Sequence, residues 1–216
     1  MNIKHIILSV LSAILTISAC SKEDAGPEEF RGKIDTQESV DLGLSVIWSG
    51  YNLCAAGAEK AGAYYAWGDN AEKESYLSDN YTAPAADIWE NDPATALWGG
   101  TWRIPTPDEL AELCDTLKCS VRFAKFKGKN GWVVTSKISG YEGTSIFFPA
   151  AGYKAGDHVN YAGEQGVYWS SRLTAAGSTH AANLFFDGNK ALMNIPPKGV
   201  GGTLWCGYPL RPVRNR

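Results

Sequence analysis

Histidine is scarce in this 216-residue chain: His5, His158 and His180 are the only three, and two of them lie beyond the apolar start. A Ser-His-acid or Cys-His enzyme needs a histidine as its base. No GxSxG-type nucleophile signature accompanies His158 or His180, and both read as surface residues. No CxxC or HxxxH spacing is present to suggest zinc. Gly199-Val200-Gly201-Gly202 lacks the strand, helix and lysine of a nucleotide site. Asp157, Glu164 and Asp187 have no motif that marks them as a hydrolytic pair. Positive charge is not in excess either, with 20 Lys and Arg against 23 Asp and Glu. That balance argues against a nucleic-acid partner. After residue 19 there is no long apolar run for a transmembrane helix. The reading is therefore non-catalytic, with no catalytic residue, no metal ligand and no cofactor assigned.

What the chain does have begins at its start. Lys4 and His5 precede an apolar stretch, Ile6 to Ile17, broken only by Ser9, Ser12 and Thr16. This is the length of a secretory signal core and too short for a stable span. The run ends Ile17-Ser18-Ala19-Cys20. Small residues before the cut let the chain lie extended in a peptidase cleft, and Cys20 supplies the thiol that takes a diacylglyceryl group. The stretch resembles a bacterial lipobox. It implies a signal peptide over residues 1–19, a lipidated Cys20 with palmitate-class acyl chains, and a membrane partner through that anchor. Ser21-Lys22-Glu23-Asp24 resembles the surface-export signal of Bacteroidota lipoproteins. The expected location is the outer membrane, with the domain facing outward. Charged, Gly/Pro-containing residues 20–37 read as a flexible tether.

With residues 1–19 removed, 19 basic residues face 23 acidic ones, a net charge of −4. About 180 residues then remain beyond the tether, one domain's worth and enough for a sizeable core. Cys54, Cys114, Cys119 and Cys206 can form two disulfides by three pairings or stay as buried thiols, and the spacing leaves this open. Eight Trp and 23 Gly suggest loops that pack on tryptophans rather than on long elements.

Val40, Leu42, Leu44, Val46 and Trp48 alternate with other residues and predict a half-buried strand. Gly62 to Gly68 is a short aromatic segment, strand or loop, and residues 69–90 are polar and irregular. Asp92-Pro93 opens a short helix that Gly99-Gly100 stops. Thr106-Pro107-Asp108-Glu109 is a capping box, and Leu110, Leu113 and Leu117 then share a face, which predicts a helix over 107–118. Short strands are expected at Trp132–Ser136, Ser145–Phe148, Val167–Ser170, Asn183–Phe186 and Leu210–Val213. Two early helices followed by a loop-rich antiparallel β half make an α+β class.

Six blocks carry a wider resemblance: VDLGLSVIW (Val40 to Trp48), YYAWGD (Tyr64 to Asp69), WGGTWRIPTPDEL (Trp98 to Leu110), IFFPAAGY (Ile146 to Tyr153), GVYWSS (Gly166 to Ser171) and LRPVR (Leu210 to Arg214). In this order they resemble the bacterial major paralogous domain (FISUMP) family, over about residues 38–216. The resemblance implies a C-type lectin-like fold of the formylglycine-generating-enzyme subtype. The residues themselves read as architecture: Trp102 and Trp169 as core, Arg103 as a fork onto an acid or loop carbonyls, Ser170 and Ser171 as turn holders, and Arg211 as a partner inside the closing hairpin. The calcium triplets Glu-Pro-Asn, Gln-Pro-Asp and Trp-Asn-Asp do not occur, and of the paired late cysteines of the formylglycine-generating relatives only Cys206 is present.

The stretch from Arg172 to Pro209 resembles the variable region of lectin-fold proteins diversified by retroelements. Ala181, Leu184 and Phe186 match the scaffold pattern. The resemblance makes Arg172, Thr174, Thr179, His180, Ala182, Phe185, Lys190, Leu204 and Trp205 display positions. One departure is Leu204, where an arginine is usual three residues before Gly207. Physically, Trp205 and Tyr208 either stack on a partner's sugar face or apolar patch, or plug the core. Aromatic, cationic and hydroxyl side chains on loops over a rigid frame suit recognition. The expected function is an adhesin-like surface module that binds a glycan or a protein. The alternatives are a structural or assembly subunit of an appendage or envelope complex, and an enzyme with an unrecognised site.

Overall fold

Two helices start where the sequence supplies caps. The computed structural model describes residues 26–194, 199 and 201–216, so Cys20 and the signal peptide lie outside the described residues. In α1 (Pro93–Trp98) the Asp92 carboxylate accepts from the N–H groups of Ala94 and Thr95 at 2.8 and 3.1 Å, and Gly99 ends the helix at φ 63°. In α2 (Pro107–Cys114) Thr106 and Glu109 form the reciprocal capping box. The expected extension to residue 118 does not form. Asp115 leaves helical geometry at ψ 109°, and its carboxylate and carbonyl take the N–H groups of Leu117, Lys118 and Cys119. Leu117 is consequently 83% exposed instead of on the core face.

The other regular elements are mostly short antiparallel strands joined by loops, giving an α+β fold. In chain order they are β1 (Val46–Trp48), β2 (Tyr64–Tyr65), β3 (Trp102–Arg103), β4 (Cys119–Phe126), β5 (Lys129–Ser136), β6 (Ser145–Pro149), β7 (Tyr153–Ala155), β8 (His158–Asn160), β9 (Gly166–Leu173), β10 (His180–Phe186), β11 (Ala191–Asn194), β12 (Gly202–Thr203), β13 (Tyr208–Pro209) and β14 (Val213–Asn215). Strand β14 lies between β1 and β3, β13 pairs with β2, β5 lies between β4 and β6, and β7 pairs with β8. Strand β10 takes β9 on one edge. The other edge is shared, with β11 along Asn183–Phe186 and β12 along His180–Ala181.

Three expectations need correction. The alternation from Val40 to Trp48 does bury every second residue, but the chain doubles back. Val40 and Trp48 exchange two backbone bonds at 2.7 and 3.0 Å, and Gly43 turns the chain at φ 74° with its N–H on the Asp41 carboxylate. The closing strand is split into β13 and β14, because Pro209 and Pro212 have no N–H to give a continuous ladder. The segment read as tether is docked over much of its length. Glu29 bridges Lys125 on β4, Ile34 is buried with Ala124, Val133 and Phe147, and Asp35 donates its N–H to the Ser145 carbonyl at 2.8 Å.

The core has two main clusters. One gathers Leu42, Trp48, Leu110, Leu113, Trp132, Phe148, Tyr168, Leu184 and Phe186. The other gathers Trp67, Trp89, Ile104, Trp169, Ala181, Leu204, Tyr208 and Leu210. Arg211 sits fully buried, with Nε on Asn52 Oδ1 (2.9 Å), Nη1 on the Ser49 carbonyl (3.1 Å) and Nη2 on the Phe147 carbonyl (2.7 Å). Its guanidinium carbon also lies 4.4 Å from the Phe148 ring centroid. Burial brings its pKa down to about 10, which leaves it charged at neutral pH.

Arg103 grips Glu109 with both terminal nitrogens at 2.8 and 2.7 Å. Burial acts to raise the Glu109 carboxyl, but the Arg103 fork and the Thr106 N–H outweigh it and the pKa falls. A depressed carboxylate contributes stability above its unfolded pKa, and this is lost as pH falls through the folded value. Melting temperature should therefore drop as pH is lowered below about 4.3. Glu109→Gln should flatten that slope and cost about 1–2 kcal/mol at pH 7. Thermal melts between pH 3 and 7 check both.

Among the described cysteines, Cys54 is exposed, whereas Cys119 and Cys206 are buried free thiols that burial pushes up to about 11. Alkylation of the native protein at pH 8 should modify Cys54 and spare Cys119 and Cys206 until the chain is unfolded, as peptide mass mapping would show.

Candidate ligand-binding site

The N-terminal end of β10 borders a cavity where four of the expected display positions meet. His180 is the cross-strand partner of Thr203 on β12, which puts their side chains on one sheet face. Beyond Thr203 the chain turns at once. The Cys206 N–H returns to the Thr203 carbonyl at 3.0 Å, with Leu204 and Trp205 at the corners. The Leu204 carbonyl accepts the Trp67 N–H at 2.8 Å, pinning this turn to the segment after β2. A third wall comes from Ser78, Tyr81 and Ala83. Tyr81 donates its hydroxyl to the Trp67 carbonyl at 2.7 Å, so ring and turn share one anchor residue.

The space is an open cleft of about 420 Å³, lined by Ser78, Tyr81, Ala83, Thr179, His180, Thr203, Leu204 and Trp205. Two aromatic rings, a leucine and an alanine supply apolar surface, and three hydroxyls and an imidazole supply hydrogen bonds. Thr179 Oγ1 lies 3.1 Å from His180 Nδ1, which orients the ring and leaves Nε2 for another partner. Burial, then the nearby Asp69, raises the Tyr81 phenol, which stays protonated. No carboxylate lines this cavity, so no acid there orients His180 as a base.

The expected display positions divide. Thr179, His180, Leu204 and Trp205 meet in the cavity. Thr174 stands next to it but spends its hydroxyl internally, on the His180 carbonyl (3.1 Å) and the Ser178 hydroxyl (2.8 Å). Arg172 is exposed on the flank of β9, where it bridges Ile88, and does not line the cavity. Phe185 and Lys190 lie near the opposite end of β10. The Lys190 ammonium sits 5.4 Å from the Phe185 ring, and Lys190 borders a smaller cavity of about 210 Å³ beside Val121, Phe123 and Trp132.

Ala182 and Tyr208 are not display residues. Ala182 is 1% exposed because β10 is an inner strand, paired along both edges and packed against both core clusters. Tyr208, 7% exposed, stacks on Trp169 at 3.9 Å between centroids and is a core plug. Leu204 is itself 4% exposed and serves as floor rather than as a projecting side chain. Ser170 and Ser171 are strand residues instead of turn holders, with Ser170 Oγ donating to the Ala182 carbonyl at 2.7 Å.

Sequence reasoning missed Ser78, Tyr81, Ala83 and Thr203. The usable signal was Tyr81, an aromatic in a polar, irregular stretch, where a large ring needs something to pack on. A further cavity of about 410 Å³ lies near β2 and β5, with Glu59, Lys60, Tyr64, Lys129 and Asn130 among its lining. Its one carboxylate, Glu59, is paired with Lys60 and Lys127 at 3.7 and 3.6 Å, so no carboxylate pair for hydrolysis converges there. Among the described residues no cluster of three or more His, Cys, Asp or Glu is placed to hold a metal ion, and no helix is long and apolar enough to cross a membrane. No family model matches the chain, and no curated protein and no solved structure is significantly similar to it.

Proposed function

We propose that this chain is a lipid-anchored, outward-facing outer-membrane module of C-type lectin-like fold, non-catalytic, that binds a glycan through the cavity between Tyr81, His180 and Trp205. One observation carries the reading: four positions singled out from the late segment alone, Thr179, His180, Leu204 and Trp205, converge on one cavity with a fixed tyrosine. An aromatic wall suits the apolar face of a sugar ring. Threonine and serine hydroxyls and the free imidazole nitrogen suit its hydroxyl groups. Blocks of the resemblance that are far apart in sequence meet as strands, Ile47–Trp48 with Val213–Arg214 and Trp102–Arg103 with the same Val213–Arg214.

The test is a screen of the folded protein on glycan and protein arrays. Selective glycan capture that free sugar competes away supports the reading. Capture on the protein array alone replaces the glycan by a protein ligand. Blank arrays with a protein of native circular dichroism overturn it.

A further inference from the structure

Residues 116–141 contain six of the chain's Lys and Arg and not one Asp or Glu, in a protein that is acidic as a whole. These residues build the β4–β5 hairpin. Its tip reads Lys125-Phe126-Lys127-Gly128-Lys129, turned at Lys127 and Gly128 with φ of 50° and 71°. Lys127 is 60% exposed and Lys129 is exposed. Among the described residues Lys125 and Lys129 make no ion pair, and the partner of Lys127 is Glu59 at 3.6 Å. Farther back, Arg122 reaches Glu28 at 3.4 Å, and both are largely exposed to water. A surface kept soluble by charge mixes both signs. This one concentrates cations around a half-buried phenylalanine.

The second observation is where the N-terminal segment joins the domain. The Glu28 carbonyl accepts the Lys125 N–H at 2.8 Å, and the Phe30 N–H donates to the Lys125 carbonyl at 2.7 Å. The segment runs parallel to β4 there, on the strand that leads to the tip. Glu28 is eight residue steps beyond Cys20, so an anchor at Cys20 lies within about 28 Å of the basic strand.

From this juxtaposition we infer that the β4–β5 hairpin tip rests on the anionic headgroups of the membrane that holds the anchor, as a second, electrostatic contact. Clustered lysines next to an apolar ring suit such an interface, and the tether is too short to carry the tip far away. Phe186, at one end of β10, lies 5.5 Å from Trp132 and 6.5 Å from Phe123 on this hairpin, while His180 at the other end borders the ligand cavity. Six strand steps, roughly 20 Å, separate the two ends. The proposal rests on the lipid-anchor reading but not on the glycan reading.

The test uses mature protein reconstituted in vesicles, either pure phosphatidylcholine or seven parts phosphatidylcholine to three of phosphatidylglycerol. Flotation with the neutral vesicles reports the anchor alone. An amine-acylating reagent then reports Lys125, Lys127 and Lys129 against Lys137 at the other end of the hairpin. The expected result is flotation with both vesicle types and acylation of the tip at least about fivefold slower on the anionic ones, with the difference erased by 0.5 M salt. Equal labelling on the two vesicles, with flotation intact, overturns the hairpin contact and leaves the anchor standing. No flotation with neutral vesicles overturns the anchor and this proposal with it. Protection by soluble heparin but not by anionic vesicles overturns it in favour of a polysaccharide.

Discussion

Arg211→Ala is expected to destabilise the domain by about 3–5 kcal/mol, a fall of roughly 10–15 °C in Tm for a chain of this size. Three buried acceptors, Asn52 Oδ1 and the carbonyls of Ser49 and Phe147, would lose their donors together. Each unsatisfied buried group costs about 1–3 kcal/mol, and the void left against Phe148 adds a packing loss. These acceptors belong to two separate stretches, the loop after Trp48 (Ser49 and Asn52) and β6 (Phe147), so Arg211 ties that loop to the central sheet. No carboxylate joins the set, which means that the site was built to hold the fork by carbonyl oxygens. Arg211→Lys should recover only part of the loss, since one ammonium cannot reproduce the planar fork. Urea unfolding of the two variants against the parent checks magnitude and order.

Trp169→Ala is expected to cost about 3–5 kcal/mol and to abolish ligand capture with it. The indole is fully buried, stacks on Tyr208 at 3.9 Å and donates Nε1–H to the Tyr65 carbonyl at 2.8 Å. It also fixes β12. A Cβ on Gly202 would come within 2.5 Å of both the Trp169 and Tyr208 rings, so the strand that carries Thr203 lies flat on this stack. Without the indole the turn at Leu204 and Trp205 loses its base. Gly202→Ala tests the same contact from the other side, and should destabilise by about 1–3 kcal/mol through overpacking of two rings that cannot swing away.

How much of this could be read from the chain depends on whether a signal is local. Asp92-Pro93 and Thr106-x-x-Glu109 announce helix starts because caps and orphan N–H groups lie within three residues of each other. The end of α2 was misread because Leu117 keeps the helical spacing while Asp115 captures the backbone first. The Val40–Trp48 alternation described burial correctly and conformation incorrectly, since a tight loop on Gly43 also buries every second side chain. Strand β4 is only partly legible, because the alternation of Cys119, Val121 and Phe123 with polar residues ends at Ala124-Lys125-Phe126, and Val121 on that face is exposed. The late segment offers ten positions, and no spacing in it separates Thr179, His180, Leu204 and Trp205, which meet at the cavity, from Ala182 and Tyr208, which are buried. Whether β10 has an outward face is decided by β9, β11 and β12 around it, and no spacing within the segment reports that. Tyr81 joins through a bond to Trp67, fourteen residues away, and so gives no motif at all.

The account turns on which end of β10 meets a partner, and a single pair of affinities decides it. Using a ligand captured on the arrays, titrations compare Trp205→Ala and Lys190→Ala with the parent protein, each variant first shown to melt within a few degrees of it. Removing the Trp205 ring should weaken binding at least about tenfold, the loss of roughly 1.4 kcal/mol of stacking and desolvated contact. Removing the Lys190 ammonium, beside the small cavity at the other end of the strand, should leave the affinity within a factor of two. Unchanged affinity in Trp205→Ala together with a large loss in Lys190→Ala would contradict the assignment of the cavity bounded by Tyr81, His180 and Trp205.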